Sequence, residues 1–272
     1  MLQKLELVRG FVFGINQIHL RTITFNFWLF LLVLLYSCSF ELDRTDPLPC
    51  TDTNECGCGE LDIVDERDGQ IYKTVWINED GGNDPNKPGL CWMRDNLNVG
   101  KQVFKRKEVL NDNIIQKYCY NGDCDLYGGY YKYDEAIDYD PNISNVLSGQ
   151  YFVKGICPDG WHLPSKEELG FLAVASNNNP SSLLRLRSND TGFSGDTGGW
   201  VSETSSDTVS SMHDGDHAYY RSSTPSEGNR VFILQIILFE GNGIVKVVGD
   251  STAGAGNLSS SEGLCIRCVK DY

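Results

Sequence analysis

An apolar run from Ile23 to Tyr36, broken only by Thr24 and Asn26, ends abruptly at Cys38, and nine further cysteines follow it. No other feature narrows the folding problem as much. The run comes after a leader carrying Lys4, Arg9 and Arg21. It is long enough for the core of a secretory signal and shorter than the roughly 20 residues that span a bilayer. Ser37 supplies the small residue that lipoprotein processing requires before the modified cysteine. Residues 1–37 are therefore read as a signal peptide, Cys38 as a lipid anchor to the membrane, and 38–63 as a cysteine-containing tether. The chain is expected to be exported and held at the outer membrane or cell surface.

Export decides how the remaining cysteines are read, because disulfides persist in oxidising compartments. Cys50, Cys56, Cys58, Cys91, Cys119, Cys124, Cys157, Cys265 and Cys268 make an odd set, so at least one is expected to stay free or pair elsewhere. A zinc site at Cys50, Cys56 and Cys58 would need a fourth ligand, and no histidine lies between Cys38 and His162. A small local disulfide knot is the expectation there. The chain carries a net charge of −14, and without the leader twenty basic residues face thirty-six acidic ones. Such a surface repels phosphate backbones, which excludes nucleic acid as a partner.

Beyond the tether, residues 64–272 read as one domain. Gln70 to Ile77 alternates apolar and polar positions as a strand does. Asn78 to Gly89 is a loop by composition, Leu90 to Leu97 a short apolar run, and Asn113 to Tyr120 another strand. Tyr130 to Tyr139 reads as a short helix with an aromatic face. Ser165 and Glu168 form a capping box that starts a helix over Lys166 to Ser176. Residues 188–230 are polar and Gly/Ser/Asp-rich, an excursion of loops and short strands. Val231 to Phe239 is apolar throughout except Gln235, the mark of a buried central strand. It turns at Gly241-Asn242-Gly243 into a hairpin with Ile244 to Val248, and Gly263 to Lys270 is the final strand. Short strands, few helices and long loops make this an α+β domain.

Six segments occur in a telling order: DGQIYKTVWI (68–77), CWMRDNL (91–97), YCYNGDC…YGGYYKYDEA (118–136), GICPDGWHLPSKEEL (155–169), YYRSST (219–224) and GLCIRCVKD (263–271). Over 64–271 the chain resembles the Fibrobacter succinogenes major paralogous domain found in lipoproteins of Bacteroidetes type. The resemblance implies an extracytoplasmic, disulfide-supported, C-type-lectin-like mixed domain, related also to sulfatase-modifying factors. It implies a non-enzymatic binding or adhesion module for a glycan, matrix or protein partner. The alternatives are an enzyme of sulfatase-modifying-factor type using a C-terminal cysteine, and a structural part of a surface assembly. Where the family has a tryptophan pair, this chain has Tyr219, Tyr220 and Arg221.

Candidate site residues follow from chemistry. Pro158-Asp159-Gly160 is turn sequence and Trp161 a core anchor, so that block reads first as structure. Trp161, His162, Tyr219 and Tyr220 are nonetheless the candidate ligand contacts. Cys265 and Cys268 lie three apart, which in a strand points them to opposite faces. Each is expected to bridge elsewhere, Cys157 with Cys268 and Cys91 with Cys265, while the Asn121-Gly122-Asp123 turn would join Cys119 to Cys124. Calcium, which takes six to eight oxygens, is a candidate cofactor at Asp80, Asn83 and Asp84, against the reading of a solvated acidic loop. Tyr118, Tyr120, Tyr127, Tyr130, Tyr131 and Tyr133 could stack on sugars, but their alternation favours core positions. No nucleophile elbow or phosphate loop is present, and no catalytic residue is assigned.

Overall fold

The computed structural model describes residues 57–59, 62–143, 152–184, 191–203, 209–212, 215–227, 230–239, 242–249 and 260–271. All fall in one unit, Leu48–Tyr272. Cys38, Cys50 and Cys56, with the readings attached to them, lie outside the described residues.

The apolar alternation of 70–77 is realised in two pieces. β1 (Ile63–Val64) pairs antiparallel with β2 (Ile71–Tyr72), and β3 (Thr74–Asn78) pairs with β4 (Gly89–Met93). Across Lys73 the pattern changes phase: Ile71 is exposed and Tyr72 buried, whereas Thr74, Val75 and Ile77 are all buried. A strand covered on both faces loses its alternation. β5 (Lys101–Gln102) and β6 (Gln116–Lys117) form a short parallel pair. They lead to α1 (Cys124–Tyr127) and α2 (Tyr133–Ala136). The aromatic helix expected over 130–139 is thus a single turn. Tyr130, Tyr131 and Tyr133 are buried, and their hydroxyls donate to the carbonyls of Gly198, Val99 and Ser223 at 2.9, 2.8 and 2.8 Å.

β7 (Trp161–His162) precedes α3 (Lys166–Ala175), which begins at Ser165 with the complete capping box and buries Leu169, Leu172 and Ala173. After α4 (Pro180–Leu183), with Pro180 in the first helical turn, come β8 (Trp200–Glu203) and β9 (Val209–Met212). The 188–230 stretch departs from the expected excursion of short elements, because it contains β10 (His217–Ser226), a ten-residue strand. Its Ser222, Ser223 and Thr224 are buried. Burial is tolerable because the Ser222 hydroxyl donates to the Phe232 carbonyl at 2.6 Å and Thr224 Oγ1 accepts from the Lys166 amide at 3.0 Å. β11 (Arg230–Phe239) is the central strand expected, lying between β10 and β12 (Asn242–Val248).

The segment expected as a last strand is mostly threaded rather than paired. Gly263, Leu264 and Cys265 make single bridges to Val201, Tyr131 and Tyr220. Only β13 (Val269–Lys270) is regular, and it fills the gap in the sheet order β3-β4-β13-β7. Helix α3 packs on β11 and β12 and touches β3. The main core gathers Trp92, Val269, Leu169, Leu172, Phe193, Tyr220 and Leu234.

Three disulfides lie among the described residues: Cys58–Cys91, Cys119–Cys124 and Cys157–Cys268. The expected Cys91–Cys265 bridge is corrected, since Cys91 is bonded to Cys58 and Cys265 is free and buried. The tether is corrected at its far end too. Cys58 is stitched to β4, and the neighbouring Gly59 amide donates to Thr74 Oγ1 at 2.8 Å. Cys58 therefore does not belong to a local knot.

Candidate functional site

Four side chains singled out as ligand contacts are interior. Trp161 and His162 are each 1% exposed, Tyr219 3% and Tyr220 1%. As they stand, a ligand at the surface does not reach them. His162 sits between two carboxylates, its Nε2 2.9 Å from Glu168 Oε1 and its Nδ1 2.7 Å from Asp271 Oδ1. The other Glu168 oxygen accepts from the Ser165 amide and hydroxyl at 2.7 and 2.9 Å. The capping box and the histidine are thus one network. Burial by itself lowers the His162 pKa, but the hydrogen bonds and charges of Glu168 and Asp271 outweigh it and raise the pKa above 6.5. Burial pushes Glu168 the other way, and His162 and Ser165 more than reverse it, leaving its carboxyl below 4.5. This is an ion pair with its hydrogen bonds filled.

The RCVKD segment places Arg267 in a comparable cage. Its guanidinium donates to Asn96 Oδ1 at 2.8 Å, to the Ser194 carbonyl at 2.9 Å and to the Phe193 carbonyl. The rings of Phe193 and Tyr220 lie 4.5 and 5.3 Å away. Beside it, burial raises the Cys265 thiol to about 12. A nucleophilic cysteine needs the opposite environment, and Cys268 is held in its disulfide.

In the candidate calcium loop several polar atoms have protein partners. Asp80 pairs with Lys87 at 2.8 Å, Asp84 Oδ1 accepts from the Asn86 amide, and Asn83 Nδ2 donates to the Trp76 and Thr191 carbonyls. Among the described residues no group of three or more His, Cys, Asp or Glu side chains is gathered as a metal ion requires.

The surface around Cys119–Cys124 has a different character. Asn121 and Gly122 both have positive φ, 47° and 83°, and the Asp123 amide donates to the Tyr120 carbonyl at 2.8 Å. That is the Asn-Gly hairpin turn, which needs two left-handed residues in a row. The disulfide closes it into a ridge with a cleft on either side. The first cleft, about 180 Å³, is lined by Tyr72, Asp95, Asn96, Asn98, Cys124 to Gly128 and Asp196. The second, about 230 Å³, is lined by Gln102, Val103, Phe104, Cys119, Asn121, Gly122, Val201, Ser210 and Ser211. Ile71 and Leu126 stand half exposed beside the first and Phe104 beside the second. Of the tyrosines weighed for sugar contact, Tyr127 lines the first cleft and packs edge-on against Tyr120 at 5.0 Å.

Apart from Tyr127, none of the cleft residues was a candidate ligand contact in the sequence. The usable signal was a large apolar residue isolated in polar loop, such as Leu126 after Asp123-Cys124-Asp125, with no helical or strand period to bury it.

The architecture defines a disulfide-braced, strand-rich α+β domain with open polar clefts on one disulfide-closed ridge. The chain belongs to the Fibrobacter succinogenes major domain family (Fib_succ_major), whose sequence model matches residues 88–270. Neither a curated protein nor a solved structure gives a match.

Proposed function

We propose that this protein is an exported, lipid-anchored binding module, acting without catalysis on a glycan, matrix or protein partner at the outer membrane or cell surface. The observation that carries the proposal is the pair of open polar clefts on either side of the Cys119–Cys124 ridge, with half-exposed apolar side chains at their margins. Concave sites with a few polar groups and apolar walls are the usual form of ligand sites. The three disulfides favour an oxidising compartment, in keeping with the reading of residues 1–37 as a signal peptide cleaved before Cys38. A C-type-lectin-like relationship is part of the same reading, resting on the resemblance of residues 64–271 to the Fibrobacter succinogenes major paralogous domain.

Glycan arrays and pull-downs with the soluble domain test the binding role. Retention of a defined partner that is lost on mutating the cleft margins is the expected result, and uniformly negative outcomes in both assays count against it. Labelling of cells with a fatty-acid analogue tests the anchor. The wild-type chain should take up label and Cys38→Ala should not.

A further inference from the structure

We infer that the two clefts act together on one uncharged, hydroxyl-rich chain, a neutral oligosaccharide that places one ring in each cleft across the disulfide ridge. The inference rests on the binding-module reading and adds the chemistry and length of the ligand.

Size is the first argument. Clefts of about 180 and 230 Å³ fall below the roughly 300–1,000 Å³ that hold a drug-sized ligand. Each has room for one ring. The two are joined by a covalent bond, because Cys124 lines the first and Cys119 the second. Gln102 Nε2 donates to the Gly122 carbonyl at 2.9 Å, which fixes the ridge against the floor of the second cleft. A rigid divider between two small sites suits a ligand with a repeating unit.

Charge is the second argument. No lysine or arginine is among the described residues lining either cleft. The first presents Asp95 and Asp125, with Asp196 paired to the buried Arg267 at 3.8 Å, and the chain as a whole carries −14. A sulfated or uronic glycan would meet like charge and no basic partner. A cationic peptide would find carboxylates in the first cleft only. The second offers Gln102, Asn121, Ser210 and Ser211, amides and hydroxyls that both donate and accept. Such groups suit sugar hydroxyls, and Phe104, Leu126 and Ile71 supply apolar surface for the C–H faces of the rings.

Titration calorimetry on the purified domain tests this, using neutral gluco- and manno-oligosaccharides of one to six rings. Polygalacturonate, heparin and a lysine-rich peptide serve as the charged comparators. Affinity should rise from one ring to the length that bridges the ridge and then level off, with little dependence on salt. Phe104→Ala should weaken the longer chains about tenfold. Leu126→Ala should weaken the longer chains to a similar extent. Both side chains are exposed, and unchanged melting temperatures would confirm that the folds persist. Preference for a polyanion or the peptide, equal affinity for one ring and six, or insensitivity to both substitutions would overturn the inference. If the domain retains a protein partner and no glycan, the binding-module reading stands and this inference falls. If it retains nothing, both fall.

Discussion

His162 lies where an isolated charge would be intolerable, and the carboxylates on either side of it favour its charged form. Its folded pKa is raised above 6.5, so its contribution to stability is complete below 6.5 and lost as pH rises through the folded value. Glu168 is lowered from 4.5, so its contribution is complete above 4.5 and lost as pH falls through its folded value. The two are complete together between 4.5 and 6.5. Replacing His162 with Ala strands the buried Glu168 carboxylate, and denaturant unfolding at pH 6 should show a loss of about 3 kcal/mol. Asp271→Asn should cost less than about 1 kcal/mol, because the Asp271 side chain is 48% exposed and screened. Glu135 adds to the alkaline side of this profile. Burial, partly offset by hydrogen bonds from the Gln116 amide and the Tyr139 hydroxyl, raises its carboxyl to about 7. Its contribution is therefore lost as pH rises from 4.5 through 7. Glu135→Gln should flatten the fall in unfolding free energy across that window, and an unchanged slope would show that Glu135 does not titrate there.

Helix α3 was readable to within a residue because its start rests on local chemistry, the Ser165–Glu168 box, and its buried face on helical spacing. Strand β11 was readable because nearly all of it is apolar. β10 was not, because Ser222, Ser223 and Thr224 are buried yet look like loop residues, and only tertiary partners satisfy their hydroxyls. The same limit explains the misplaced bridge. Register sets Trp92, not Cys91, opposite Val269, and Cys58 reaches Cys91 from a segment whose composition reads as tether. Cys157–Cys268 closes 111 residues and Cys58–Cys91 closes 33. Chain entropy then assigns them about 5 and about 4 kcal/mol. Replacing Cys157 and Cys268 together should lower the denaturation midpoint more than replacing Cys58 and Cys91. The reverse order would mean that the tether attachment, rather than loop length, dominates.

The clefts escaped the sequence reading for a further reason. Their walls come from segments near 71, 96, 104, 126 and 210, which converge only once the sheets and the disulfide are in place. Convergence in turn depends on β13, which lies between β4 and β7 and places Cys268 for its bond to Cys157. A chain ending after Arg267 lacks both, and proteolysis with calorimetry should find it degraded and without a cooperative melting transition.

β13 is also made after every other element of the domain. Until it emerges, β4 and β7 have no strand between them, so the sheet remains open however long the earlier segments have been available. A ribosome adds roughly 5–20 residues per second, a slow clock beside the folding of most small domains. Under the export proposed above, the seam would still be open when the chain enters the translocation pore. Closure of the sheet and formation of the Cys157–Cys268 bond would then both wait for the last strand to cross.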